Sequence, residues 1–171
     1  LKISTRKVLY SCFKRNLVKE IRVAQLAGYV SENANYHHGE KSLQDAIIGM
    51  AQTYIGSNNI NLLMPNGQFG TRIGGGKDAA SSRYIFTYLS KVTRFIFREE
   101  DDPILNYLDD DGYPIEPDYY LPIIPMILVN GGKGIGTGFS YDGLSYNPLQ
   151  IIHYLKNKLK GQTNLCDIEP Y

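Results

Sequence analysis

The chain has no tryptophan and only two cysteines among its 171 residues. Cys12 and Cys166 lie far apart and share no metal-ligand spacing, so neither a disulfide scaffold nor a zinc module is indicated, and a reduced intracellular compartment is expected. Long hydrophobic runs are also missing. The longest, Leu121–Val129, carries Pro122 and Pro125 and is too short to span a bilayer. The start, Leu1-Lys2-Ile3-Ser4, has no apolar segment of the signal-peptide kind. Internal repeats and low-complexity tracts are absent. The chain opens without Met and stops after Pro170-Tyr171, so it is expected to be a piece of something longer.

The net charge of +1 hides a division. Residues 1–98 hold 14 Lys+Arg against 5 Asp+Glu, whereas residues 99–171 hold 4 against 12, so the segments carry +9 and −8. A basic first part is the electrostatic footprint of a polyanion binder. The acidic second part either repels that polyanion or keeps its own segment soluble.

The chain centres on residues 67–87, GQFGTRIGGGKDAASSRYIFT. Gly67, Gly70, Gly74, Gly75, Gly76, Ser81 and Ser82 suit tight turns and backbone–anion contact, and Arg72, Lys77 and Arg83 supply cations. The loop delivers Tyr84 beside Arg83, a phenol next to a guanidinium. That is the chemistry of a phosphate site holding a hydroxyl nucleophile. A glycine hairpin followed by a packing tyrosine, one of 14, is the plainer alternative.

Helices are expected over 6–15 (capped by Ser4 or Thr5), 22–33 and 43–55. Ser42 is the expected N-cap of the third. The histidines at 37 and 38 are adjacent and make a poor metal pair, but a loop histidine before a helix can donate to a phosphate. A strand over 60–64, a turn at 65–67 and a short helix over 88–97 complete the first module. Helix, helix, helix and then a hairpin is a winged-helix order. The charge change at residues 98–103 marks the expected module boundary. Beyond it, proline-punctuated residues 113–130 suit short strands. Residues 131–138, GGKGIGTG, match neither a Walker A loop nor G-x-G-x-x-G. They hold Ile135 at a loop tip, either tucked inward or pointing out as a wedge between base pairs. Asn147 and Pro148 open a last helix to Lys160, with Ile151, Ile152, Leu155 and Leu159 as its expected buried stripe.

Taken together, Tyr36-His37-His38-Gly39-Glu40, Met50-Ala51-Gln52, Gly56-Ser57-Asn58-Asn59, Gly67-Gln68-Phe69-Gly70-Thr71-Arg72, Gly75-Gly76-Lys77-Asp78 and Arg83-Tyr84-Ile85-Phe86-Thr87 resemble the DNA breakage–reunion region of type IIA DNA topoisomerases, the eukaryotic topoisomerase II type more than gyrase. Residues 123–131 and 134–138 resemble a later part of the same region. The resemblance weakens after about Tyr141.

The resemblance implies an α+β fold: a winged-helix domain (residues 1–98) followed by the start of an α/β tower domain (residues 99–171). It implies an isomerase that breaks both strands of one duplex transiently and passes another through, as an ATP-dependent homodimer acting on double-stranded DNA in the nucleus, or where viral DNA replicates. Tyr84 would attack the backbone phosphorus, Arg83 would neutralise the charge that builds there, and His38 would be a second donor. A phenol ionises only near pH ~10, so such a nucleophile needs help at neutral pH. Lys2, Arg6, Lys7, Ser42, Arg72 and Lys77 would hold the DNA backbone, and Ile135 would be the intercalating wedge. Mg²⁺ and ATP would be held by modules outside these residues, and no metal ligand is expected within them. The acidic run at 109–111 is read as a turn or solvated surface. Ile3-Ser4-Thr5, Gly74 and Ser82 depart from the family pattern, Ser82 standing where proline is common. The rivals are a non-catalytic winged-helix DNA-binding module, in which Tyr84 only packs, and a relative that uses the fold for protein contacts.

Overall fold

The computed structural model describes residues 1–171 and divides into two compact units, Leu1–Leu121 and Pro122–Tyr171. The first is built on three helices, α1 (Ile3–Lys14), α2 (Val23–Asn33) and α3 (Glu40–Ala51). Each buries one stripe at helical spacing: Val8, Leu9 and Cys12 from α1, Val23, Leu26, Ala27 and Val30 from α2, and Leu43, Ile47, Met50 and Ala51 from α3. The stripes meet in one core, in which all three helices touch one another.

Helix ends differ from expectation for local reasons. Neither Ser4 nor Thr5 caps α1, which begins at Ile3 after Lys2. Ser42 is not a cap either. Gly39, at φ 90°, turns the chain into α3 one turn earlier, and Glu40 places a carboxylate in the first turn, where the helix dipole favours it. Ser42 sits inside the helix and accepts a hydrogen bond from the Tyr36 hydroxyl at 3.2 Å. At the other end α3 stops at Ala51, short of Ile55, because the Asn58 side-chain amide takes the carbonyls of Gly49 and Gln52 at 2.7 and 2.9 Å.

A three-stranded antiparallel sheet follows, built from β1 (Ile21–Arg22), β2 (Leu63–Asn66) and β3 (Phe86–Leu89), in the order β1-β3-β2. Three helices and this small sheet are the winged-helix order, and the class is α+β. The second strand lies later than expected and includes Pro65, which pairs with Thr87. Proline is tolerated because β2 is an edge strand, where a missing N–H leaves no neighbour unpaired. Period-2 alternation buries Ile85, Thr87 and Leu89. The helix expected over 88–97 starts instead as the last two residues of β3 and keeps one helical turn, α4 (Thr93–Ile96).

The acidic residues after Arg98 form a 3-10 turn, Glu99–Ile104, and lead into a hairpin of β4 (Tyr107–Asp110) and β5 (Tyr113–Pro117). Asp111 and Gly112, at φ 50° and 86°, are its two loop residues, the left-handed pair that a tight hairpin requires. Of the acidic run at 109–111, Asp109 and Asp110 end β4 and only Asp111 lies in the turn. The boundary expected after residue 98 falls inside the first compact unit, because β5 packs on α1.

The second unit holds α5 (Met126–Val129), a hairpin of β6 (Gly132–Gly136) and β7 (Phe139–Gly143), and α6 (Pro148–Leu159). Asn147 caps α6 by accepting from the Leu149 N–H at 2.9 Å. Of the four-residue stripe expected on this helix only Ile151 is buried, while Ile152 and Leu159 are exposed. The buried side chains of this unit are Ile124, Met126, Val129 and Ile151. No helix of the chain is long and apolar enough to cross a membrane.

Candidate nucleic-acid interface and nucleophile

Residues 67–85 connect β2 to β3 and are tied down at several points. Thr71 and Asp78 bracket the loop: the Asp78 carboxylate accepts from the Thr71 N–H at 2.8 Å and from its hydroxyl at 2.5 Å. Those two bonds hold the Asp78 carboxyl below its ordinary range, the hydroxyl more than the backbone. Gln52, just past α3, donates its amide to the carbonyls of Phe69 and Gly76 at 2.9 and 3.1 Å. At Gly76 the approach is so close that a Cβ would lie 2.5 Å from the Tyr54 hydroxyl and 2.6 Å from the Gln52 amide. Glycine is needed there for space as well as for its φ of 78°.

The loop ends in a turn closed by the Tyr84 N–H on the Ser81 carbonyl at 2.9 Å. The start of α2 anchors that turn: the N–H groups of Val23 and Ala24 donate to the carbonyls of Ile85 and Ser82, each at 3.0 Å. Ile85 is buried, whereas Tyr84, the last residue of the turn, is turned outward with its side chain 77% exposed. The plainer alternative, a packing tyrosine, does not fit that exposure. Arg83 is exposed as well and lines a cleft of about 830 Å³ with Lys77 and Lys41. Its walls also include Glu40, Asp45, which pairs with Lys41 at 2.7 Å, Gln44, Gln52 and residues 79–82. An exposed phenol beside a guanidinium, at the rim of a cleft with three cations, is suited to receive a phosphodiester.

The other expected residues are distributed unevenly. His38 is exposed on the loop before α3, with its ring edge-on to Tyr36 at 5.6 Å, but it does not line the cleft. Ser42 and Arg72 are exposed outside it. Lys2 is exposed ahead of α1. Arg6 is half-buried, and its Nη1 donates to the Pro117 carbonyl at 3.2 Å. Lys7 does not match its expected place on a DNA backbone. It is buried, donating to the Ala34 carbonyl at 2.5 Å and pairing with Glu116 at 2.8 Å. A lysine within a basic run looks alike from sequence whether it faces solvent or a carboxylate 109 residues away. Ile135, on β6 of the second unit, points outward and is 95% exposed.

Sequence reasoning missed Lys41, Gln44 and Gln52. Lys41, in the first turn of a helix beside the histidine loop, carried a readable signal. Gln52 stood in the Met50-Ala51-Gln52 motif without a role, since its partners lie 17 and 24 residues away.

The family model for the A-subunit of DNA gyrase/topoisomerase IV matches residues 1–171. The DNA topoisomerase 2 of Arabidopsis thaliana is 59% identical over the whole chain, and that of Candida albicans is 57% identical over 97% of it. The chain spans 12% and 11% of the lengths of these two relatives. The crystal structure of the Plasmodium falciparum topoisomerase II DNA-binding, cleavage and re-ligation domain superposes on all of the chain with a TM-score of 0.97 at 57% identity, the chain covering 23% of it. With a family model that runs its full length and relatives this similar, the chain belongs to the DNA gyrase/topoisomerase IV A-subunit family, on its topoisomerase II side.

Proposed function

We propose that these residues are the strand-breaking part of an ATP-dependent type II DNA topoisomerase that works as a homodimer on double-stranded DNA, in the nucleus or where a viral genome replicates. In this reading residues 1–98 supply the winged-helix cleavage module, and the tower begins in the acidic residues that follow. The observation that carries the reading is Tyr84: exposed, held at the end of an anchored turn, and preceded by an arginine on a cation-lined cleft. The relatives' names supply the reaction class.

The Tyr84 phenol oxygen bonds to the phosphorus of a backbone phosphodiester as the bond from phosphorus to the 3′ oxygen breaks. The phenol proton leaves, and the departing 3′ oxygen takes up a proton. The 5′ end remains as a phosphotyrosine ester, close in energy to the bond broken, so resealing reverses the step without external energy. Arg83 offsets the charge on the non-bridging oxygens. His38 donates to the same phosphate from its loop. Lys2, Arg6, Ser42, Arg72, Lys77 and Lys41 contact backbone phosphates and fix register without reading sequence, and Ile135 is the wedge that bends the duplex. No three His, Cys, Asp or Glu side chains of this chain are grouped to hold a metal. In this reading Mg²⁺ and ATP are bound by residues outside these 171, Mg²⁺ assisting phosphoryl transfer and ATP driving strand passage.

The test uses the full-length chain incubated with supercoiled plasmid and trapped with denaturant. Protein attached to DNA 5′ ends is expected from the wild type, none from Tyr84→Phe, and about 10²- to 10³-fold less from Arg83→Ala. Equal adduct from Tyr84→Phe overturns the assignment of the nucleophile. An adduct-free wild type that still binds DNA in a salt-sensitive way would point to the non-catalytic DNA-binding module instead.

A further inference from the structure

The residue before Arg83 is joined to both helices beneath the turn. The Ser82 carbonyl accepts from the Ala24 N–H of α2 at 3.0 Å, and its hydroxyl donates to Gln44 Oε1 of α3 at 2.8 Å. The Gln44 amide is oriented from the other side, since its Nε2 donates to Glu40 Oε1 at 3.2 Å. That leaves Oε1 facing the serine. Ser81 closes the turn onto the Tyr84 N–H, so any swing of residue 82 swings Arg83 and Tyr84 with it. The Arg83 and Tyr84 side chains are both exposed, and the same network is what fixes the backbone that displays them.

We propose that Ser82 and Gln44 are positioning residues for strand cleavage: their hydrogen bond orients the turn that presents Tyr84 and Arg83 to the scissile phosphate. The inference rests on the nucleophile reading of Tyr84. A serine has no ring to restrict its backbone, so the side-chain bond to α3 supplies the restraint. One part-buried neutral hydrogen bond stabilises the aligned turn modestly, and its loss reaches the reaction through geometry, since a displacement of a reacting group by a fraction of an ångström slows it.

The experiment uses the full-length chain, supercoiled plasmid as probe, and a double-mutant cycle of Ser82→Ala and Gln44→Leu. At saturating DNA each single variant is expected to form the denaturant-trapped adduct about three- to tenfold more slowly. Plasmid affinity at fixed salt and Tm are expected to stay near wild type. The double variant is expected to be no slower than the slower single, and Ser82→Thr, which keeps the hydroxyl, to regain most of the rate. Three results overturn the proposal: a wild-type rate in Ser82→Ala, additive losses in the cycle, or a loss that tracks Tm or affinity. In each of those cases a normal wild-type adduct that Tyr84→Phe abolishes leaves the function reading standing. A wild type that forms no adduct removes the reading and this inference together.

Discussion

At the residue scale, the two cysteines show how burial decides chemistry. Cys12 lies wholly inside the α1 stripe, and burial pushes its thiol up to about 12 from an ordinary value of 9.0, whereas Cys166 is exposed. Because the thiolate is the reactive form, a disulfide-exchange reagent at pH 8 should label one thiol in the native chain and two after denaturation. The same shift has a direction in stability. With the folded value raised, the contribution is complete below pH 9, where both states keep the proton, and is lost as pH rises through the folded value. Tyr10, Tyr107 and Tyr120 act in the same sense, each raised from 10.0 chiefly by burial. Melting temperature is therefore expected to fall progressively above about pH 9, and a rising or flat profile between pH 9 and 11 would contradict this account of the core. Local chemistry of this kind was legible in part. The Tyr84 and Arg83 pair stood out because glycines and cations surround it, while the burial of Lys7 was hidden, since its partners come from β5 and from the end of α2.

At the element scale, that hidden pair ties α1 to the β4–β5 hairpin. Lys7 Nζ and Glu116 are 10% and 2% exposed in their side chains, so removing one partner strands a buried charge. Lys7→Met is expected to destabilise the chain by about 3 kcal/mol, and the double variant Lys7→Met with Glu116→Leu to recover most of that loss. DNA binding supplies the second readout. If Lys7 makes no phosphate contact, Lys7→Met leaves the slope of log affinity against log salt unchanged, whereas Lys77→Ala lowers it by about one unit. A lower slope for Lys7→Met would return this residue to the duplex. The helices were readable from their apolar spacing, but their ends were not. Ser42 has the composition of a cap, yet the left-handed Gly39 starts α3 a turn earlier, and Asn58 ends it by reaching back from the loop. Strand β2 shifted because its pairing with β3 places a proline on the sheet edge, which local composition does not reveal.

At the scale of the whole molecule, the charge change at residue 98 looked like a boundary and the packing runs through it. The 3-10 turn Glu99–Ile104 is held by Arg94, whose guanidinium grips Asp102 at 2.9 and 3.2 Å while lying 3.6 Å from the centre of the Phe13 ring. Phe13 and Phe97 both pack edge-on against Tyr120, each with ring centres 5.7 Å from it. Tyr120 and Glu116 are buried, so a chain cut at 98 takes Glu116 from Lys7, Asp102 from Arg94 and Tyr120 from Phe13 at once. Residues 1–121 are therefore expected to unfold in one cooperative thermal transition with dispersed amide resonances. Residues 1–98 are expected to keep helical circular dichroism but bind a hydrophobic dye and melt broadly, as a compact state without fixed packing does. The cations of the glycine loop and Lys41 would survive in both, so DNA affinity alone would not tell them apart; the sharpness of the melt does. A cooperative melt for residues 1–98 at the temperature of the longer piece would mean that the hairpin only decorates the three-helix core, and the module would then end where the charge changes sign.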